Sequence, residues 1–166
     1  MCKMVDTFME AGFNYFDTAM FYHGGKSELV LKECLTSRYP RESYVLTDKL
    51  SVYSFKTREE VVPMFEKQLE KCGVEYFDFF LMHAMNASRH QHYTNTRSYE
   101  IAQELKAEGK VRHVGMSFHD SAEVLDRILT ERPEMEFVQL QFNYVDYDDP
   151  KVQSRACYEV CRKHGK

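Results

Sequence analysis

The chain has 166 residues and a formal net charge of −4 at pH 7, and 43% of its residues are hydrophobic. This composition suits a single globular domain over residues 1–166, and the lack of a basic stripe argues against a nucleic-acid partner. No apolar run approaches the length of a membrane span, and Met1 to Met4 lack the apolar core of a signal peptide, so we expect no membrane segment.

The five cysteines include no Cys-x-x-Cys pair, and their number is odd. We therefore expect all five to be reduced thiols in a cytoplasmic protein. Cys157 and Cys161 are four residues apart in a helical pattern, so they are expected to share one face of a helix and to fill the core.

Hydrophobic periodicity predicts helices and strands in alternation along most of the chain. The chain begins with a helix over residues 1–11, ended by Gly12, and no strand precedes it. Strands are predicted at residues 14–17, 44–49, 76–83, 111–117 and 137–143. Further helices are predicted at residues 27–37, from Thr57 to about Cys72, at 98–106, after Asp120, and after Asp149-Pro150, with the proline in the first turn.

Local signals at the helix ends refine this prediction. Thr57 and Glu60 form a capping box that satisfies free N–H groups of the helix they open. Pro63 conflicts with that helix, because proline removes a donor and can bend the chain. Asp120 with Glu123 has the form of a second N-terminal cap. Residues 84–95 are predicted to be a polar loop, rich in His and Asn and long enough to be functional.

The predicted strands recur at intervals of roughly 25–35 residues, with helices between most of them, as expected of βαβ units. The strands are rich in aromatic and β-branched residues, which is typical of strands covered on both faces. The sequence therefore predicts an α/β fold with a parallel sheet flanked by helices. The repeat alone does not distinguish an open sheet from a closed barrel.

Each predicted strand ends in polar side chains. In parallel α/β folds, functional groups gather at the carboxyl ends of the strands. These ends carry Asp17, Lys49, His83, Ser117 and, on the fifth strand, Gln139, Gln141 and Asn143. Alternation along the strands puts Lys49 and His83 on the same faces as core residues, where an unpaired ammonium would be costly.

Two interpretations of these residues are possible. Asp17 and Lys49 can form a structural ion pair, with His83 as a hydrogen-bonded core histidine. Alternatively, these three side chains and Tyr22, which lies just beyond the first strand, converge on one catalytic site. An ammonium beside a phenol stabilises the phenolate, so Lys49 near Tyr22 would make the phenol a better acid. Such a phenol is suited to protonating an alkoxide, while His83 polarises the carbonyl oxygen or joins the proton relay.

The segments that carry these four residues resemble a known family. FDTAMFY, with Asp17 and Tyr22, TDKL, with Lys49, and LMHA, with His83, are similar to the Asp-Tyr-Lys-His tetrad of the aldo-keto reductases. The resemblance implies a (β/α)8 TIM barrel and an NAD(P)H-dependent oxidoreductase that reduces an aldehyde or ketone to an alcohol. It also implies that Tyr22 is the general acid.

Two further segments resemble that family's contacts with the nicotinamide carboxamide. GMS at 115–117 is similar to its Gly-x-Ser-Asn segment, which implies cofactor contacts for Ser117 and for Phe118, the latter standing where Asn is usual. QLQFN at 139–143 is similar to its Gln-x-Glu-x-Asn/His segment, which implies contacts for Gln139 and Asn143. The resemblance favours NADP(H) over NAD(H) as cofactor.

The length departs from the family. A complete barrel needs roughly 250 residues, so we expect an incomplete barrel that runs from the first barrel helix through the sixth, without the first, seventh and eighth strands. On this hypothesis, the activity belongs to a longer parent protein and the fragment alone is inactive. The sequence most resembles a bacterial branch of the family that often has a C-terminal iron–sulfur segment. These residues contain no such cysteine cluster, so any iron–sulfur cluster would lie outside them.

Two other hypotheses remain. One is a non-catalytic barrel module that retains cofactor binding or has a role in assembly. The other is a metal-dependent hydrolase that uses His90-x-His92 or His119-Asp120, although no third ligand has clear spacing. A small carbonyl compound is the expected substrate, and the sequence indicates neither its identity nor the oligomeric state.

Overall fold

The computed structural model describes all 166 residues. Its strands are β1 Tyr15–Asp17, β2 Val45–Leu50, β3 Phe77–Met85, β4 Val111–Phe118 and β5 Phe137–Leu140. Its helices are α1 Cys2–Glu10, α2 Ser27–Leu31, α3 Val61–Cys72, α4 Ala87–Asn95, α5 Ser98–Ala107, α6 Ala122–Glu131 and α7 Ser154–Lys163. A π-helical turn, Lys32–Thr36, continues α2.

The strands form one parallel sheet in the order β1-β2-β3-β4-β5. The sheet is strongly curled and its two edge strands approach each other: Gln139 on one donates a hydrogen bond to the carboxylate of Asp17 on the other, at 3.1 Å. The sheet is therefore a half-barrel with helices outside it. This confirms the predicted α/β class and its match to an incomplete (β/α)8 barrel.

Aromatic side chains line the concave face of the half-barrel, which stays partly exposed. The ring of Phe79 lies 6.0 Å from that of Tyr15 and 5.1 Å from that of Phe137, measured between centroids. Gly115 allows β5 to approach β4, because a Cβ atom there would lie 2.5 Å from the carbonyl oxygen of Phe137. The polar strand ends lie at the mouth of the half-barrel.

A larger core lies between the convex face of the sheet and the helices. It comprises 30 buried residues, among them Phe80, Met82 and Met116 from the sheet and Leu129 from α6. Cys157 and Cys161 of α7 belong to this core, as predicted. None of the helices is both long enough and apolar enough to cross a membrane.

The structure confirms the predicted cap at Thr57 and the predicted end of α3, and it explains the proline of that helix. The capping box of Thr57 and Glu60 is formed, and Gly73 ends the helix in the left-handed conformation, with φ of 66°. A 3-10 turn, Arg58–Glu60, separates the cap from the α-helix. Pro63 is therefore the third residue of α3, where a backbone N–H would have no partner within the helix.

The prediction of a polar loop over residues 84–95 is wrong, because Ala87–Asn95 form α4. Asn86 caps this helix, since its side-chain oxygen accepts a hydrogen bond from the Arg89 N–H at 2.9 Å. His90 and Tyr93 are buried on the inner face of α4. Two buried positions among polar neighbours give too weak a hydrophobic period to be recognised in sequence.

Three other boundaries differ from the predictions. β5 ends at Leu140 and does not reach residue 143. α6 is capped by Ser121, while Asp120 accepts hydrogen bonds from the N–H groups of Ala87 and Ser121. α7 begins at Ser154 and not at Pro150. Asp149 caps one turn at Pro150, but Gln153 then has a left-handed backbone, with φ of 55°, which separates that turn from the helix.

The expectation of five reduced thiols is also wrong. Cys2 and Cys34 form a disulfide, which links α1 to the turn that follows α2. The other three cysteines are free and buried. Sequence spacing could not reveal this bond, because the pair is separated by 32 residues and is brought together only by packing of the two helices.

Candidate active site

Four side chains predicted to act together converge at the mouth of the half-barrel. Asp17 ends β1, Lys49 lies near the end of β2, and His83 lies towards the end of β3. Tyr22 follows β1 in a short 3-10 turn, Tyr22–Gly25, in which His23 and Gly24 have left-handed backbone angles. This turn brings the chain back over the strand ends.

The ammonium of Lys49 is buried, with only 1% of the side chain exposed. It is paired with the carboxylate of Asp17 and donates a second hydrogen bond to the carbonyl oxygen of Thr18 at 2.9 Å. The pairing is what allows a charged lysine in this position, since an unpaired buried charge would be strongly destabilising. The expected ion pair is therefore present, and it lies at the mouth.

Tyr22 lies over this ion pair. Its ring centroid is 4.9 Å from the Lys49 nitrogen and 5.8 Å from the ring centroid of His83, which it meets edge-on. The tyrosine is partly exposed, so a small molecule entering the mouth can contact it. The structure thus brings Asp17, Tyr22, Lys49 and His83 together.

His83 is held in its neutral form at physiological pH. Burial, together with the positive charges of Lys49 and Arg89, lowers the pKa of His83 to about 4. Its Nδ1 atom is buried without a hydrogen-bond partner. A neutral imidazole can donate or accept one hydrogen bond without carrying charge, which suits the polarisation of a carbonyl oxygen.

A pocket of about 270 Å³ adjoins these residues. Asp17, Tyr22 and His83 line it together with Ser117 and Gln139. The Ser117 oxygen accepts a hydrogen bond from the Ala84 N–H at 2.7 Å, so its own hydroxyl proton is free to bind a ligand. The Ser117 hydroxyl and the Gln139 side-chain amide together offer the donors and acceptors that a carboxamide group requires.

The pocket wall also includes His119 and Gln141. The sequence suggested His119 only as a metal ligand, whereas the structure places it beside His83. Desolvation and the charge of Arg89 lower the pKa of His119. Its position two residues after Ser117 was the available signal, since residues just past a strand end commonly line such mouths.

Two residues predicted to bind cofactor do not line this pocket. Phe118 is 2% exposed and belongs to the core on the convex face, because neighbouring strand residues point to opposite sides and Ser117 faces inward. Asn143 lies beyond the end of β5 in an exposed turn, where its side-chain oxygen accepts a hydrogen bond from the Val145 N–H at 3.0 Å.

The two histidines of α4 proposed for a metal-dependent hydrolase pack within the protein, and the buried Nε2 atom of His92 has no hydrogen-bond partner. His90 uses both ring nitrogens, one with the Tyr99 hydroxyl at 2.8 Å and one with Glu131 at 2.9 Å. His92 packs against the ring of Phe55. These contacts give the histidines of α4 a packing role, and the hydrolase hypothesis finds no support in them.

One buried group of potential metal ligands lies away from the mouth. It consists of Glu28, Asp48 and Cys72, between the sheet and the helices. Lys71 pairs with Glu28 at 2.9 Å, and the Cys72 thiol donates to Asp48 at 3.7 Å. Burial and the neighbouring Glu28 raise the pKa of Asp48, which favours a neutral carboxyl group in this network.

Comparison with known proteins identifies relatives of the whole chain. Residues 1–166 match the model of the aldo/keto reductase family. The NADH-specific methylglyoxal reductase of Escherichia coli is 23% identical over 97% of this chain and 53% of that protein. The chain thus spans about half the length of this relative.

Solved structures show the same architecture. An aldo/keto reductase from Brucella melitensis superimposes with a TM-score of 0.74 and 27% identity, over 98% of this chain and 59% of that chain. An aldo-keto reductase from Klebsiella pneumoniae in complex with NADPH superimposes with a TM-score of 0.76 and 20% identity, over 98% of this chain and 54% of that chain.

Proposed function

The chain belongs to the aldo/keto reductase family, and on that basis we propose that it supplies the catalytic tetrad of an NAD(P)H-dependent oxidoreductase. The proposed reaction reduces an aldehyde or ketone to an alcohol by hydride transfer. The observation that carries the proposal is the contact of Tyr22 with both the Lys49 ammonium and the His83 ring at one pocket.

In the proposed mechanism, Tyr22 is the general acid. When bound, a reduced nicotinamide supplies the hydride that adds to the carbonyl carbon, and the electron pair of the C=O π bond moves to oxygen. Tyr22 then transfers its phenolic proton to that oxygen. The Lys49 ammonium stabilises the phenolate that remains, and Asp17 keeps the ammonium in place. Neutral His83 donates a hydrogen bond to the carbonyl oxygen and orients the substrate.

We propose that Ser117 and Gln139 hold the nicotinamide carboxamide. Both line the pocket, and the free proton of Ser117 and the amide of Gln139 match the needs of that group. NADP(H) is the proposed cofactor, supported by the NADPH complex from Klebsiella pneumoniae. The NADH-specific relative from Escherichia coli makes NAD(H) the alternative.

We also propose that turnover requires a longer protein that contains this chain. The chain spans about half the length of its relatives, and β1 and β5 are each paired on one side only. The activity tests therefore use the full-length protein.

Replacing Tyr22 with Phe tests the proposed function. Removal of the phenolic proton is expected to lower kcat for aldehyde reduction by about 10²–10⁴-fold, the usual contribution of general acid catalysis. NAD(P)H oxidation is followed with a panel of aldehydes. Tyr144→Phe is the matched control, because Tyr144 is 94% exposed and is expected to retain full activity. Unchanged turnover in Tyr22→Phe would refute the role of Tyr22.

The alternative is a non-catalytic barrel module. Binding of NADPH, measured by protein fluorescence or calorimetry, with no turnover across the aldehyde panel would favour it. Turnover that depends on Tyr22 would exclude it. The pairing of Lys49 with Asp17 supports the catalytic proposal, because a module that only binds has no need for a buried ammonium beside a phenol.

A further inference from the structure

The backbone of β3 is irregular at His83. Regular pairing with β4 stops at Met82 and resumes, in a shifted register, at Met85. Between them Ala84 adopts a left-handed conformation, with φ of 52°, which is unfavourable for a residue with a Cβ atom. A bulge of this kind redirects the neighbouring side chain. Here the redirected side chain is His83, so the surroundings must hold the bulge in place.

Three side chains from two elements, α4 and β4, hold this bulge. The Tyr93 hydroxyl on α4 accepts a hydrogen bond from the His83 N–H at 3.0 Å. The Ser117 hydroxyl on β4 accepts one from the Ala84 N–H at 2.7 Å. Arg89 donates one to the Ala84 carbonyl oxygen at 2.5 Å. The backbone groups that the bulge removes from strand pairing are thus bound by side chains.

Tyr93 differs from the other two because it also reaches β2. Its hydroxyl proton is directed to the carbonyl oxygen of Leu50, at 2.6 Å, and Leu50 directly follows Lys49. The same oxygen atom accepts from His83, so one hydroxyl links the strand ends that carry Lys49 and His83. Tyr93 has no exposed surface, so water cannot replace either bond.

We propose that Tyr93 is a positioning residue for the tetrad. It fixes the spacing between the ends of β2 and β3, and so holds the His83 imidazole against Tyr22 and beside the Lys49 ammonium. The catalytic part of this proposal rests on the proposed function, whereas its geometric part concerns His83 and can be measured without turnover.

Tyr99 provides a comparison within the same region. It is also fully buried and its hydroxyl is hydrogen-bonded, to His90 at 2.8 Å. Its hydroxyl contacts no tetrad residue and does not bind the backbone of the bulge; it meets β3 only at the sulfur of Met85, at 3.7 Å. Loss of the two hydroxyls should therefore have similar effects on stability, while only the Tyr93 hydroxyl should affect the geometry of His83.

The test compares Tyr93→Phe with Tyr99→Phe in the full-length protein. Tyr93→Phe is expected to lower kcat for aldehyde reduction by about 10- to 100-fold, as small misplacement of a catalytic group does, with little change in KM. The pKa of His83, followed by NMR of labelled imidazole, should rise from about 4 towards the ordinary value near 6.5. Tyr99→Phe should leave both quantities unchanged.

Thermal unfolding separates positioning from general stability. The proposal would be overturned if Tyr93→Phe and Tyr99→Phe had the same His83 pKa and the same kcat. If the wild-type protein shows no reductase activity, the proposed function fails. The titration of His83 in the two variants still tests whether Tyr93 holds the His83 imidazole in place.

A second variant covers the case in which Tyr93→Phe does not fold. Arg89→Lys keeps the positive charge near His83 but loses the planar fork that binds both Ala84 and the Tyr53 hydroxyl, at 2.7 Å. It releases one side of the same bulge. We expect the pKa of His83 to rise and kcat to fall, by less than in Tyr93→Phe. No change in either quantity would overturn the proposal.

Discussion

At the scale of single residues, the site depends on how charge is accommodated at the mouth. Lys49 is buried and charged because Asp17 and the Thr18 carbonyl oxygen surround it. Burial, acting with the same charge and with that of Arg89, keeps His83 neutral. The site therefore presents a neutral imidazole beside a cation.

The lowered pKa of His83 predicts how stability depends on pH. In the unfolded chain its pKa is about 6.5, and in the folded protein it is about 4. Between these pH values the unfolded state binds more protons, so the free energy of unfolding falls as the pH is lowered from 6.5 towards 4. His119, whose pKa is also lowered, acts in the same direction.

Urea unfolding between pH 4 and pH 7 checks this prediction. We expect His83→Gln to weaken the dependence of stability on pH in that range, because glutamine has no proton to bind. NMR titration of the wild-type protein should place the midpoint of His83 near pH 4. A midpoint near 6.5, or an unchanged slope in His83→Gln, would contradict the prediction.

At the scale of elements, the site depends on α4, a helix that the sequence did not predict. It supplies Tyr93 and Arg89, which bind the backbone around His83. Its sequence is polar because most of its surface is exposed, and only His90 and Tyr93 are buried. An element that contributes hydrogen bonds more than apolar area leaves little hydrophobic period in the sequence.

The cap of α4 predicts the effect of a substitution at Asn86. Its side-chain oxygen satisfies the Arg89 N–H, and Asn86→Ala should lower the free energy of unfolding by about 1 kcal/mol. Ser88→Ala, an exposed change in the first turn, is the control and should change it by less than about 0.5 kcal/mol. Chemical denaturation measures both. Equal effects of the two substitutions would show that Asn86 does not act as a cap.

At the scale of the whole molecule, curvature and a cross-link define the half-barrel. The edge strands approach closely enough for Gln139 to bind Asp17. On the outside, the disulfide of Cys2 and Cys34 ties the first helix to the segment after α2. Phe13 and Tyr15, beside the β1 edge, remain exposed, so apolar surface stays uncovered at that side of the sheet.

The disulfide makes stability sensitive to reduction. It closes a loop of 32 residues, and a cross-link of that span stabilises a folded chain by roughly 3–4 kcal/mol. We expect Cys2→Ser to lose about this amount without reductant and to match the wild type in dithiothreitol. Thiol titration of the unfolded, unreduced protein should find three free thiols, those of Cys72, Cys157 and Cys161. Five thiols would contradict the cross-link.

The sequence by itself determined the alternation of strands and helices, the parallel sheet and the polar strand ends. These features depend on local periodicity, on caps such as Thr57 with Glu60, and on the alternation that turns Lys49 inward. Each of them is determined by residues that are close together in the sequence. The four tetrad positions were predictable for this reason, helped by their resemblance to a family.

Only the tertiary structure decided which distant groups meet. The contact of Gln139 with Asp17, the binding of the His83 backbone by Tyr93, and the disulfide of Cys2 with Cys34 join residues that no local pattern connects. The helical α4 and the inward or outward direction of Ser117 and Phe118 also depended on packing. Such contacts follow from the curvature of the sheet and from the packing of helices on it, which arise from all of the elements at once.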